Sequence, residues 1–161
     1  MKKQLVFVLV ATLAACGGKK DDKSSGSSGG GADKPAAAAG TKLAKVGGLT
    51  IDFPGDVSDA IGGDGAMVMG EDGVLTVEEA KKPQTIDEAK SDADMYGPKN
   101  LKTEKLADGW ALTFENSGSM GANYFVSVRR DIAGKSYKCS TTGSSPDQAK
   151  AVIAACKSLR G

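Results

Sequence analysis

Residues 101–143 read LKTEKLADGWALTFENSGSMGANYFVSVRRDIAGKSYKCSTTG, and their two-residue period decides the fold. Trp110, Leu112 and Phe114 alternate with smaller or polar neighbours, the pattern of a strand with one buried face. Leu101 to Leu106 precedes them and pairs back across Asp108-Gly109, a hairpin dipeptide. Ala122 to Arg130 makes a longer strand with Tyr124, Val126 and Val128 on one side. Tyr137, Cys139 and Thr141 alternate in the next. The connections are too short for crossovers, so the strands run antiparallel.

Helix signals flank this core. Downstream, Ser145-Pro146-Asp147-Gln148 places a serine at the N-cap and a proline in the first turn. The helix it opens presents Ala149, Val152, Ile153, Cys156 and Leu159 on one face. Upstream, Thr85-Ile86-Asp87-Glu88 is a capping box and Gly97-Pro98 a stop, with Ile86, Ala89, Ala93 and Tyr96 sharing a face between them. Leu49, Ile51 and Phe53 form a strand halted by Pro54-Gly55. Met67 to Met69 and Val74 to Val77 form a hairpin through Gly70-Glu71-Asp72-Gly73. The predicted class is α+β: a twisted antiparallel sheet with two main helices packed on it, one central and one C-terminal.

The N-terminus, MKKQLVFVLVATLAACG over residues 1–17, follows a different logic. Lys2 and Lys3 precede an apolar run from Leu5 to Ala14, roughly half the length of a spanning helix. The run ends in Leu13-Ala14-Ala15-Cys16. This segment resembles the signal peptide and lipobox of bacterial lipoproteins. The resemblance implies cleavage after residue 15, diacylglycerol on the Cys16 thiol and a further acyl chain such as palmitate on its new amine. Several chains, at about 0.8 kcal/mol per buried CH2, give a nearly permanent membrane anchor. Gly17-Gly18, in place of an aspartate after the cysteine, favours the outer membrane over the inner, facing the periplasm or the cell surface.

Residues 17–41 contain no Leu, Ile, Val, Met or aromatic side chain. With nothing to bury against ordering entropy, residues 16–41 are expected to be a lipidated cysteine and a flexible linker. Such a chain has an end-to-end distance of about 25–30 Å. Residues 42–161 then form one domain of about 120 residues, enough to bury a core. The net charge of +1 says little, but twelve acidic and three basic residues lie between Thr50 and Met95, and five acidic and ten basic ones from Tyr96 on. No basic patch interleaved with aromatics marks a nucleic-acid partner.

Setting Cys16 aside leaves Cys139 and Cys156, a pair expected to form a disulfide in an exported chain. The sequence has no histidine, which removes Ser-His-Asp and Cys-His nucleophile systems and most zinc sites. A two-carboxylate hydrolase has many candidates, among them Asp52, Glu78 and Glu79, and no distinguishing spacing. Asp56, Asp59, Asp64, Glu71 and Asp72 are candidate oxygen ligands for Ca²⁺, although their spacing is not that of an EF-hand and solvated acidic turns explain them better. Gly62-Gly63-Asp64-Gly65 lacks the Lys-Ser/Thr of a phosphate loop. Trp110, the sole tryptophan, suits core packing better than a surface platform for sugar or peptide. Arg129-Arg130 reads as a solvated strand end.

The opening strand Leu49-Thr50-Ile51-Asp52-Phe53-Pro54, the order of elements over residues 47–160, and the ending Ile153-Ala154-Ala155-Cys156-Lys157-Ser158-Leu159 resemble the PsbP-like group of exported α+β domains. That resemblance implies a non-catalytic accessory or binding domain and assigns no functional residue. The resulting expectation is a lipid-anchored envelope protein that is not an enzyme, uses no cofactor, and binds an envelope partner. A periplasmic small-ligand or calcium-binding module is the alternative, with a carboxylate hydrolase behind it.

Overall fold

The structure, a computed structural model, describes residues 40–119 and 121–161. The lipobox, Cys16 and the linker through residue 39 lie outside the described residues. The elements in chain order are β1 (Thr41–Leu43), a short 3-10 turn (Ala44–Val46), β2 (Leu49–Ile51), β3 (Asp56–Asp59), β4 (Gly65–Gly70), β5 (Gly73–Glu79), α1 (Ile86–Asp94), β6 (Lys99–Leu106), β7 (Gly109–Gly118), β8 (Gly121–Ile132), β9 (Lys135–Gly143) and α2 (Pro146–Lys157). Seven strands form one antiparallel sheet in the order β3-β4-β5-β9-β8-β7-β6, and β1 pairs with β2 beside it. The class is α+β, with a central and a C-terminal helix.

One sheet face carries the main core. Val68, Leu75, Val77, Val128 and Cys139 project from it and are almost fully buried. Against them pack Val152, Cys156 and Leu159 from α2 and its exit, and Leu43, Val46, Leu49, Ile51 and Phe53 from the β1–β2 region. Each large aliphatic side chain buried this way contributes about 1.5–3 kcal/mol. The disulfide Cys139–Cys156 joins β9 to α2 inside this layer, with Cα atoms 5.5 Å apart. The opposite face carries a smaller cluster: Trp110, Leu112 and Phe114 of β7 meet Ala89 and Ala93 of α1. Small alanines let the helix approach the sheet closely.

Both predicted caps are present. Thr85 accepts from the Glu88 backbone while Glu88 accepts from the Thr85 N–H, and Ser145 accepts from the Gln148 N–H with Pro146 in the first turn. The β6–β7 hairpin turns on Ala107-Asp108, one residue earlier than expected, because Leu106 pairs with Gly109. Gly109 is required there: a Cβ would collide with the Arg129 carbonyl.

Three expectations are corrected. Thr41, expected in the linker, is the first residue of β1, and its hydroxyl donates to the Phe53 carbonyl at 2.7 Å. Asp56–Asp59, read as acidic turn, is the edge strand β3, paired with Ala66–Met69. Its alternation was hidden because only Val57 is apolar. Arg129 and Arg130 are not a solvated strand end. Arg130 forks onto the Asp108 carboxylate at 2.9 and 2.8 Å and also donates to the Lys157 carbonyl, clamping the end of α2 to the β6–β7 turn. Arg129 points to the other face, into the site described next.

Candidate functional site

Strand alternation fixes which side chains share the α1 face, and cross-strand pairing fixes their rows. One row reads Met67, Thr76, Ser140, Ser127 and Leu112, from β4 through β5, β9 and β8 to β7. A second reads Glu78, Lys138, Arg129 and Trp110 across β5, β9, β8 and β7. A third holds Thr142, Phe125 and Phe114. The face therefore grades from charged, through hydroxyl-bearing, to aromatic.

Helix α1 covers only the β7 side of this face, through Ala89 and Ala93. It is nine residues long, about 14 Å at 1.5 Å per residue, and cannot span a seven-stranded sheet with strands about 4.8 Å apart. On this face, no helix lies over β5 and β9 among the described residues. The uncovered part is a groove in two connected portions. One, of about 560 Å³, has Thr76, Ser127 and Ser140 on its floor and Ala89, Asp92, Ala93 and Tyr96 along the α1 wall. The other, of about 790 Å³, runs past Trp110 to the charged row. Gln84, Asp92 and Lys138 line both.

The groove's walls are held by specific bonds. The Gln84 carbonyl accepts from Trp110 Nε1 at 3.0 Å and from Arg129 Nη1 at 2.9 Å. Gln84 Nε2 donates to Asp92 at 2.5 Å, tying the segment before α1 to its last turn. Arg129 also grips Asp131 at 2.7 Å. Burial alone would raise the Asp131 carboxyl, but hydrogen bonds from Ser136 and Arg129 and the Arg129 charge together hold it below the usual carboxylate range. At the aromatic end Phe114 and Phe125 stack with centroids 4.4 Å apart, and Tyr96 tilts over Phe125 at 5.7 Å. Tyr96 remains 56% exposed.

Charge in the larger portion is balanced: Asp64, Glu78, Glu79 and Asp92 are matched by Lys81, Lys82, Arg129 and Lys138. Lys81 pairs with Asp64 at 3.3 Å. Lys138 has no ion pair among the described residues, and neither do the hydroxyls of Thr76, Ser127 and Ser140 have side-chain hydrogen bonds there.

The residues singled out by sequence fall elsewhere. Cys139 and Cys156 are buried on the opposite face as a structural cross-link. The five candidate calcium ligands do not converge: Asp56 opens β3, Asp59 pairs with Lys45, Asp64 with Lys81, and Glu71 and Asp72 form the β4–β5 turn. Among the described residues no three Asp, Glu or Cys side chains are placed to hold a metal ion. Trp110 is 5% exposed, a core residue and not a platform. The groove itself left no motif. Its only sequence trace is the polar set Thr76, Ser127, Lys138 and Ser140, each next to a core-facing apolar residue of its strand.

No protein-family model matches the chain, and searches of curated proteins and of solved structures give no match. The lipoprotein and PsbP-like resemblances therefore rest on the residues quoted for them. No helix among the described residues is long and apolar enough to cross a membrane.

Proposed function

We propose that the chain is a lipid-anchored envelope protein whose globular domain is a binding module, with the groove beside α1 as its binding surface. The observation that carries this reading is the half-covered sheet face. On one side of the sheet, α2 and the β1–β2 region bury a continuous apolar layer. On the other, a short helix stops partway and leaves a concave surface with aromatic, hydroxyl and charged groups in adjoining rows. Ligand sites combine concavity, apolar walls and a few placed polar groups in this way. The anchor side of the proposal rests on Leu13-Ala14-Ala15-Cys16 after a short apolar run.

Two measurements test it. Mass spectrometry of the membrane form should find acyl chains on an N-terminal Cys16; an unmodified N-terminus elsewhere, or a Cys16→Ser protein that is still processed and membrane-bound, overturns the anchor. For the groove, a photo-crosslinking residue at Thr142, exposed at the aromatic end, should yield a discrete adduct in intact cells. The same residue at Lys150, on the outer face of α2, should not. Equal labelling from both positions removes the groove as the binding surface.

A further inference from the structure

The chemistry of the groove narrows what it takes. We propose that it binds a neutral oligosaccharide, two to four sugar units long, laid across β5, β9 and β8. This deepens the groove reading above and depends on it.

Three observations point to that ligand class. The first is the hydroxyl row. Thr76, Ser140 and Ser127 are direct cross-strand neighbours, so their side chains stand in a line about 10 Å long at strand spacings of about 4.8 Å. Each hydroxyl can donate once and accept twice, and among the described residues none has a side-chain partner. A ligand that covers them must itself be dense in donors and acceptors. An acyl chain laid there strips water from all three and returns no hydrogen bond. Sugar hydroxyls recur every few ångströms and answer both roles.

The second is the aromatic rim. Tyr96 is more than half exposed, yet its ring is braced by Phe125 at 5.7 Å and Phe114 at 6.2 Å. An aromatic π face carries partial negative charge. The axial C–H bonds of a pyranose are weakly positive and make apolar patches on the faces of the ring, so they suit such a surface. The third is charge. Acidic and basic side chains in the groove balance, so a strongly anionic or cationic ligand gains no net attraction. Lys138 and Asp92 sit at the junction of the two portions as a donor and an acceptor for ring hydroxyls. An extended peptide, by contrast, binds best where backbone groups are unpaired, at a sheet edge. The groove floor lies in the middle of the sheet, where β9 is paired on both sides.

The test titrates the full chain, in lipid nanodiscs, with chitotetraose, cellotetraose and maltotetraose, followed by amide NMR. At least one of the three should give saturable shifts at Thr76, Ser127, Ser140 and Asp92. Tyr96→Ala, at an exposed position, and the double variant Ser127→Ala, Ser140→Ala should each weaken binding about tenfold, the loss of one or two hydrogen bonds or a stacking contact. Retained chemical shifts elsewhere will show that the variants fold. No saturable shift with any of the three up to about 10 mM overturns the proposal, as do shifts confined to another surface. Groove shifts produced by laurate micelles and by none of the sugars overturn the oligosaccharide while leaving the groove a binding surface. A crosslink from Thr142 with no sugar response separates the two in the same way.

Discussion

Trp110 and Arg129 face each other across β7 and β8 and donate to one acceptor, the Gln84 carbonyl, at 3.0 and 2.9 Å. The segment that leads into α1 is thereby pinned to the sheet by two side chains that also line the groove.

Sharing an acceptor makes the two residues energetically dependent. Trp110→Phe removes one donor, and Arg129 still satisfies the carbonyl; Arg129→Met leaves the indole. Each single loss should cost about 1 kcal/mol for the hydrogen bond itself, with packing loss added for the tryptophan. The double variant strands the carbonyl and should exceed the sum by about 0.5–2 kcal/mol. Urea unfolding of the four proteins measures the coupling; strict additivity contradicts the shared-acceptor account.

Breaking the Cys139–Cys156 bond should lower stability by about 3 kcal/mol, since it closes a loop of 17 residues. The unfolded, unreduced protein should show no free thiol at either position. A Cys139→Ala, Cys156→Ala variant as stable as the parent contradicts a structural role.

Thr85→Ala removes the N-cap hydroxyl of α1 and should cost about 1 kcal/mol. Because α1 walls the groove, amide exchange in residues 86–94 should quicken more than in α2. Uniform acceleration through the domain would mean that α1 does not open as a local unit.

The pH response follows from four groups and the absence of histidine. Glu88 is held below its ordinary value first by the Thr85 backbone hydrogen bond and then by the Thr85 hydroxyl. Asp131 is lowered as well. Both contribute stability present above the carboxylate range and lost as pH falls through their depressed values. Lys135 is raised first by its hydrogen bond to Glu79 and then by that residue's charge, and Arg160 is raised by its hydrogen bond to Asp52. Those contributions are complete below the usual lysine and arginine ranges and fade at strongly alkaline pH. The melting temperature should be flat from about pH 5.5 to 8, where no side chain with an ordinary pKa titrates, and fall toward acid. A step near pH 6.5 would contradict this.

Much of the fold was legible because it obeys short periods. Trp110, Leu112 and Phe114 in β7, Val126 and Val128 in β8, and Tyr137 and Cys139 in β9 recur at every second position, and the Thr85 and Ser145 caps carry their own signatures. β3 was not legible: an edge strand with one apolar residue in four offers no alternation. Nor were the arginines, because Asp108 and the Lys157 carbonyl reach Arg130 only through the fold. The groove was hidden for a related reason. Thr76, Ser127 and Ser140 read as ordinary outward positions, and what distinguishes them is the point at which α1 stops covering the sheet.

One feature of the chain ends bears on mechanics. Thr50 in β2 exchanges backbone hydrogen bonds with Arg160 at 3.0 and 2.8 Å, and Gly40 packs against the same arginine. The chain enters the domain and reaches its penultimate residue at one pole. A short splice between them would close the backbone into a ring, and the ring could be reopened at Ile61-Gly62-Gly63 with the sheet order intact. A pull applied at Gly40 lifts β1 from β2 rung by rung, beginning at the Thr41–Ile51 pair, so the load is spent in a three-residue zipper before it reaches the sheet that floors the groove.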